Sequence, residues 1–332
     1  MKRRRGLLAV ACAALAPLPQ RLAAQQAQSA RKVYRVGVLG PDTSDGSGLV
    51  WDAFVDELAQ RGYVQGRNLV LELRLGQGDR PEQLDRLAAE LVALKPDVIY
   101  AARGTISALA AKRATSTIPI VFYSSGDPVA MGLVASLARP GGNVTGNSVQ
   151  GFVLVGKASE LLTEALPKVQ RIAYLQPAGS RSMPWYPQLL RSMESTAQAR
   201  GVTVEFIDVA TIENIEALIS RLARQRFDAA IVVDFPLFRP HLERIAELFI
   251  QHRLPAYGNA NDGFLMHYGE QRLKLARMAA AYVDRILQGA RPAELPVEQI
   301  STFEMVINLK TARALQLSVP AAVMLRASRV IE

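Results

Sequence analysis

Small polar side chains follow an apolar run in the first half of the chain and open a predicted helix. Residues 97–101 (DVIYA) are typical of a buried strand, and Gly104, Thr105 and Ser107 begin the segment of Ala, Leu and Lys that comes next. Free N–H groups and the dipole at a helix start favour an anion, so these three residues are candidate ligands for a carboxylate. Ordinary N-capping by Thr105 would explain the same pattern.

A second polar loop comes directly after the next predicted strand, residues 119–123. Ser124, Ser125 and Asp127 lie in this loop. Strand, helix and strand within about 30 residues predict a parallel βαβ unit, and ligands of parallel sheets bind beyond the carboxyl ends of the strands. We therefore expect the two serines and the aspartate to hydrogen-bond a ligand. A tight Gly-Asp-Pro turn is the alternative explanation.

The second half of the chain has candidates at corresponding strand ends. Acidic and amide side chains there suit a ligand cation, and aromatic rings suit stacking on an apolar ligand, although aromatic residues also build cores. These candidates are Trp185, Asp234, Phe235, Tyr257, Asn259 and Asp262, and the loop after the first predicted strand adds Asp42 and Thr43.

Signatures of catalysis and of cofactor binding are missing from the sequence. It has no Walker loop, no G-x-G-x-x-G after a strand and no G-x-S-x-G elbow. His241, His252 and His267 lack metal-ligand spacing, and Cys12 is the only cysteine. The carboxylates are isolated rather than paired, which suits binding better than acid–base catalysis. We predict no catalytic residue, no metal and no cofactor.

The elements that position these residues follow one plan that occurs twice. QRGYVQGRNLVLEL corresponds to QARGVTVEFIDV, KPDVIYA to RFDAAIVVD, and TIPIVFYSSGDP to HRLPAYGNAND. Each copy alternates predicted strands with amphipathic helices. The pattern predicts an α/β protein of two doubly wound, Rossmann-like lobes with mostly parallel sheets joined by a hinge. One large sheet is the alternative.

The chain begins with a predicted signal peptide, residues 1–24. Four basic residues precede an apolar stretch, and small residues stand before Gln25. Export through either the Sec or the twin-arginine route is open, and too little apolar sequence precedes Cys12 for lipoprotein anchoring. We assign residues 33–148 to the first lobe with about 266–290, and residues 149–265 to the second with part of 295–332.

The net charge of +9 does not indicate a nucleic-acid partner. Five of the basic residues lie in the predicted signal peptide, and the others alternate with acidic residues on predicted helix faces. No later stretch of 18 apolar residues predicts a membrane span. We expect a secreted monomer.

Several long segments resemble the ABC-transporter substrate-binding proteins of the tryptophan/tyrosine-uptake-like family. They are GYVQGRNLVLELR, LAAELVALKPDVIYA, TIPIVFYSSGDPVAMGLVASLARPGGNVTG, RIAELFIQHRLPAYG and LPVEQISTFEMVINLKTARALQL. The segments are collinear with the family pattern across residues 33–332. Two loops depart from that pattern: Ile106 stands where Pro is usual, and the run from Asn259 to Asp262 replaces a more common Arg-Glu-Phe-like run.

The resemblance implies a type I periplasmic-binding-protein fold with a ligand cleft between its lobes. It also implies a location in the periplasm, a small-molecule ligand, hinge closure and a partner permease of an ABC importer in the inner membrane. Some relatives bind aromatic amino acids, so an aromatic or branched amino acid, or another small carboxylate, is expected here. A secreted α/β enzyme and a ligand-sensing module of a membrane receptor remain alternatives.

Overall fold

The computed structural model describes residues 32–41, 48–76, 80–102, 104–124, 126–149, 151–183 and 185–332. The predicted signal peptide, Asp42, Thr43 and Ser125 lie outside these residues, as does the side chain of Ser124. Within the described ranges, every helix is too short or too polar to cross a membrane.

The first sheet has six strands in the order β2-β1-β3-β4-β5-β11, and all neighbouring pairs are parallel. Short runs of β-branched and aromatic residues build its centre, as in strands buried on both faces. The strands are β1 (Tyr34–Gly40), β2 (Leu69–Leu75), β3 (Val98–Ala101), β4 (Ile120–Ser124), β5 (Val144–Ser148) and β11 (Glu298–Gln299).

The second sheet has seven strands in the order β13-β12-β10-β9-β8-β6-β7. Its pairs are parallel except for β10 with β12, which is antiparallel. The strands are β6 (Arg171–Pro177), β7 (Thr203–Val209), β8 (Ala229–Val232), β9 (Ala256–Tyr257), β10 (Met266–Glu270), β12 (Phe303–Asn308) and β13 (Arg329–Ile331).

Amphipathic helices cover both faces of each sheet. In chain order they are α1 (Leu49–Gln60), α2 (Pro81–Ala93), α3 (Thr105–Ala114), α4 (Gly151–Ala165), α5 (Tyr186–Arg200), α6 (Ile215–Arg224), α7 (Leu242–Gln251), α8 (Arg272–Leu287), α9 (Leu309–Ala314) and α10 (Ala321–Met324). Helices α1 and α8 share one core of the first sheet, and α2 and α3 share the other. In the second sheet α4 and α5 line one core, and α6 and α7 line the other.

The two sheets share one strand order. Strands β2-β1-β3-β4-β5 of the first correspond to β7-β6-β8-β9-β10 of the second, so the plan that occurs twice in the sequence is also repeated in space. The predicted fold class, two mostly parallel doubly wound lobes, is confirmed. We call each sheet with its helices the first or the second lobe. In this topology the switch points lie between β1 and β3 and between β6 and β8, where ligands of such sheets bind.

The described chain passes from one lobe to the other at three places. These are the segments between β5 and α4, between β10 and α8, and between β11 and β12. The second of them differs from the predicted boundary, because residues 266–270 form a strand of the second sheet and only the helix after them joins the first lobe. The strand lies between β9 and the antiparallel β12, a long-range pairing that its short polar sequence does not reveal.

A buried carboxylate attaches α8 to the first lobe. Asp284 is only 6 % exposed and accepts hydrogen bonds from Arg61 Nη1 at 2.9 Å and Tyr63 Oη at 3.0 Å. Gln288 Nε2 donates a third bond at 2.6 Å. Burial of the phenol, together with the neighbouring carboxylate, raises the pKa of Tyr63 to about 12. These contacts hold the helix that leaves the second crossing against α1.

Candidate functional site

A cavity of about 540 Å³ lies where the carboxyl ends of strands from both sheets meet. Its wall includes Tyr100 and Tyr123 from the first sheet and Pro177 and Val232 from the second. These residues end β3, β4, β6 and β8, or stand next to their ends, so the cavity includes both switch points. The volume is in the range of ordinary small-molecule sites.

The N-terminus of α3 forms part of the first-lobe wall. Gly104, not Thr105, is the N-cap residue, and its φ of 127° is one that glycine adopts without strain. It has no side-chain oxygen to cap the first turn, and Thr105, the first helical residue, is 6 % exposed and lines the cavity with it. Ser107 lies one layer deeper, fully buried, and is not part of the wall. The start of this helix therefore borders the cavity.

A hydrogen bond between the lobes anchors an acidic side chain in the wall. Tyr123 Oη, at the end of β4, donates to Glu270 Oε1, at the end of β10, with a distance of 2.8 Å. Among the residues that the structure describes, Glu270 has no cationic partner. Its negative charge is therefore available to a cation in the cavity.

The charge of Asp234 is already balanced within the wall. Its carboxylate accepts hydrogen bonds at 2.7 Å from Arg239 Nε and at 2.7 Å from Arg272 Nη1. Arg272 is the first residue of α8, where the helix dipole disfavours a cation, so the acidic partner also compensates that end of the helix. The pair with Arg272 joins the second lobe to a helix of the first.

Aromatic side chains line the second-lobe side of the cavity. Trp185 and Phe235 are stacked, with ring centroids 5.7 Å apart and planes at 29°. Tyr257 contributes only its ring, because its hydroxyl donates to the Tyr268 carbonyl at 2.7 Å and accepts from the Tyr268 N–H at 2.9 Å. Burial raises the pKa of this phenol. The wall therefore offers apolar faces rather than phenolic hydroxyls at this position.

Three further candidates lie in turns. Asn259 lines the cavity, and its side chain also accepts a hydrogen bond of 3.2 Å from the N–H of Asn261, which caps a short 3₁₀ turn. Asp262 ends that turn away from the wall, and burial raises the pKa of its carboxyl. Asp127 is exposed, and its Oδ1 accepts from the N–H groups of Val129 and Ala130, as the turn interpretation predicts.

A family model for ABC transporter substrate binding proteins matches residues 35–331. The chain belongs to this family. The match covers both lobes and all three crossings, so the recognition made from the sequence segments is confirmed.

Individual relatives and solved structures agree with this placement. A tyrosine-binding protein of Clostridioides difficile is 28 % identical over 268 residues, which are 80 % of this chain and 75 % of the relative. A conserved domain protein of Vibrio cholerae has a TM-score of 0.79 and 26 % identity, over 90 % of this chain and 100 % of the other. An ABC domain of Streptococcus pneumoniae in complex with L-Trp has a TM-score of 0.76 and 25 % identity, with the same coverage.

Seven of the residues predicted for the site belong to the wall: Gly104, Thr105, Trp185, Asp234, Phe235, Tyr257 and Asn259. Sequence reasoning missed the residues of β10 and of the start of α8, namely His267, Glu270 and Arg272, together with Tyr123 and Arg239. The polar run that follows Leu265 resembles a helix start in the sequence. Only its pairing with β12 shows that it is a strand whose end lies in the cavity.

Proposed function

We propose that this protein is the exported receptor of an ABC importer and captures an aromatic amino acid in the cavity between its lobes. The observation that carries the proposal is the placement of an anchored carboxylate with no cationic partner among the described residues, a glycine-capped helix start and an aromatic wall around one cavity. The predicted signal peptide and the family's transport role support delivery to a permease in the inner membrane.

Each part of an amino acid has a complementary feature in this arrangement. The first turn of α3, beginning at Thr105, receives the carboxylate, because helix starts bind anions. Glu270 receives the ammonium group, and Tyr123 holds the Glu270 side chain in place. Trp185 and Phe235 provide flat apolar surface for the ligand's side chain, and stacking of this kind is favourable beyond area burial alone. We assign no direct contact to Asp234, whose charge Arg239 and Arg272 already satisfy.

Binding on this proposal requires no chemical step. The ligand contacts groups of both lobes, so it stabilises the arrangement in which the lobes approach each other around the three crossings. Glu270 stands at the second crossing and therefore links ligand contact to the hinge. The permease then recognises the closed form.

The experiment is native mass spectrometry of the mature protein, followed by calorimetric titration with the standard amino acids after removal of any bound molecule. We expect one or a few aromatic amino acids to bind, to raise the melting temperature and to be recovered unaltered. Small-angle scattering should show a smaller radius of gyration on binding. Consumption of the ligand during incubation would instead favour the secreted enzyme, and no binding by any amino acid would overturn the proposed ligand class.

A further inference from the structure

His267 lies in the cavity wall with both of its ring nitrogens unused by the described part of the protein. It stands in β10, and no described residue forms a hydrogen bond with its imidazole. The ring lies over Gly269, where a Cβ atom would come within 2.6 Å of Nε2. The Tyr257 ring is the neighbouring aromatic, with centroids 6.2 Å apart. The glycine thus gives the imidazole its place beside the cavity.

The surroundings of His267 keep the ring neutral. Burial lowers its pKa to about 4, and the nearby Arg272 also disfavours the charged form. A neutral imidazole has one nitrogen that donates and one that accepts. When a ligand displaces water from this wall, an imidazole nitrogen left without a partner costs free energy, so a ligand that supplies the partner is favoured.

The position along β10 relates His267 to the proposed ammonium site. Glu270 is three residues further along the strand, so the two side chains leave opposite faces of β10, but both line the same cavity because the strand ends there. A ligand whose ammonium group is held by Glu270 can therefore extend its ring edge towards His267.

We propose that His267 determines side-chain specificity by accepting a hydrogen bond from a donor at the edge of the ligand's aromatic ring. The phenol of tyrosine and the indole N–H of tryptophan are such donors, and phenylalanine has none. The inference rests on the proposed function and goes beyond it. It divides the aromatic amino acids into favoured and disfavoured ligands according to whether the ring carries a hydrogen-bond donor at its edge.

The test compares the affinities of L-tyrosine, L-phenylalanine and O-methyl-L-tyrosine by calorimetry at pH 7.5. The methyl ether keeps the ring and the oxygen but removes the donor. We expect the normal protein to bind tyrosine about tenfold or more tightly than either analogue, the size expected for one hydrogen bond with a buried partner. In His267→Leu the ratio of the affinity for tyrosine to that for either analogue should fall to about one. His267→Gln keeps a donor and an acceptor, so it should retain part of the preference for tyrosine.

Gly269→Ala is the second variant, and it keeps the imidazole but displaces it. A Cβ at 2.6 Å from Nε2 forces the ring away, so the ratio should fall here also. Circular dichroism establishes that each variant is folded, and if His267→Leu is not, Gly269→Ala decides. An unchanged tyrosine-to-phenylalanine ratio in the folded variants, or a normal protein that prefers phenylalanine, would overturn the role of His267 while leaving the receptor in place. Failure of the normal protein to bind any of the three ligands or L-tryptophan would overturn the proposed function and this inference with it.

Discussion

Tyr123 and Glu270 are 147 positions apart in the chain, yet the hydroxyl of the first donates a 2.8 Å hydrogen bond to the carboxylate of the second. Glu270 ends β10 where the second crossing begins, and Tyr123 is the last residue but one of β4 in the other sheet. The bond therefore fixes the orientation of a cavity carboxylate and joins the lobes near the second crossing. On the proposed function, it couples recognition of a ligand ammonium group to the relative position of the lobes.

Glu270→Gln tests the proposed ammonium site. The substitution keeps the size of the side chain and removes its charge, and hydrogen bonds to charged groups contribute about 1.5–3 kcal/mol. We expect affinity for an aromatic amino acid to fall about 10- to 100-fold in calorimetric titration, with little change in melting temperature. Tyr123→Phe should weaken binding less, because the carboxylate remains but loses its anchor.

Asp262→Asn is the control for Glu270→Gln. Asp262 is a partly buried carboxylate of the second lobe that does not line the cavity. Its substitution should leave affinity within about twofold of the normal value. Equal losses in the two variants would mean that binding responds to the overall charge of the region and not to a contact at Glu270.

Asp284→Ala tests whether the buried carboxylate holds α8 on the first lobe. The change leaves Arg61, Tyr63 and Gln288 without their shared acceptor. Loss of one partner of a buried ion pair costs about 3–5 kcal/mol, and the partial exposure of Arg61 lowers our expectation to about 2–3 kcal/mol of unfolding free energy. Urea denaturation measures this loss of unfolding free energy.

A surface ion pair of the same lobe provides the comparison. Asp85 accepts from Arg113 Nη2 at 2.6 Å, and both side chains are about half exposed. Asp85→Ala should cost no more than about 1 kcal/mol, as exposed pairs do. If Asp85→Ala and Asp284→Ala lower the free energy of unfolding by similar amounts, burial of the Asp284 cluster does not contribute to stability.

The order of strands and helices could be predicted because each lobe is built from local units. Runs such as residues 97–101 and 227–233 are short, apolar and followed by helical periodicity, and in the structure they contain β3 and β8. Strands β5, β10, β11 and β13 were missed. They are short or polar, and their pairing partners in several cases lie far away in the chain, so no local pattern marks them.

The site residues that follow a predicted strand could be identified from the sequence. Those whose role depends on contacts with residues far away in the chain could not. Asp234 was identified as a strand-end acid, but Arg272, 38 positions away, balances its charge. Glu270 is absent from the predicted site, because the short polar sequence of β10 does not reveal a strand that ends in the cavity. The hydroxyl of Tyr257 is used by the backbone of Tyr268, an arrangement that only the pairing of β9 with β10 produces.

His267 should make the stability of the ligand-free protein depend on pH. Its pKa falls from the usual 6.5 to about 4 in the folded state because of burial. The unfolded chain therefore binds more protons between these values, so the stabilisation is complete above pH 6.5 and is lost as the pH falls towards 4. The loss between pH 7.5 and pH 5 should be about 2 kcal/mol in urea denaturation.

His267→Gln isolates this contribution. Glutamine does not titrate. Between pH 7.5 and pH 5 the unfolding free energy of His267→Gln should therefore fall by about 2 kcal/mol less than that of the normal protein. Charged and titratable groups on the neighbouring elements are present in both proteins and cancel in the difference: Asp234 after β8, Tyr257 on β9, Arg272 on α8, Glu304 opposite Gly269 on β12, and Arg329 on β13. Identical pH profiles for the two proteins would contradict a neutral imidazole at position 267.

Trp185→Ala should weaken binding of an aromatic amino acid about 10- to 100-fold in calorimetric titration. The substitution removes a large apolar face from the cavity, worth about 1.5–3 kcal/mol.

Trp51, the other tryptophan, packs against Phe54 in α1 and is not part of the wall, so Trp51→Phe should bind normally. That variant also leaves Trp185 as the only indole of the protein. Its fluorescence should change on addition of L-phenylalanine or L-tyrosine if the ligand's ring lies beside it. Unchanged emission during a titration that calorimetry shows to be saturating would place the ring elsewhere in the cavity and remove Trp185 from the recognition surface.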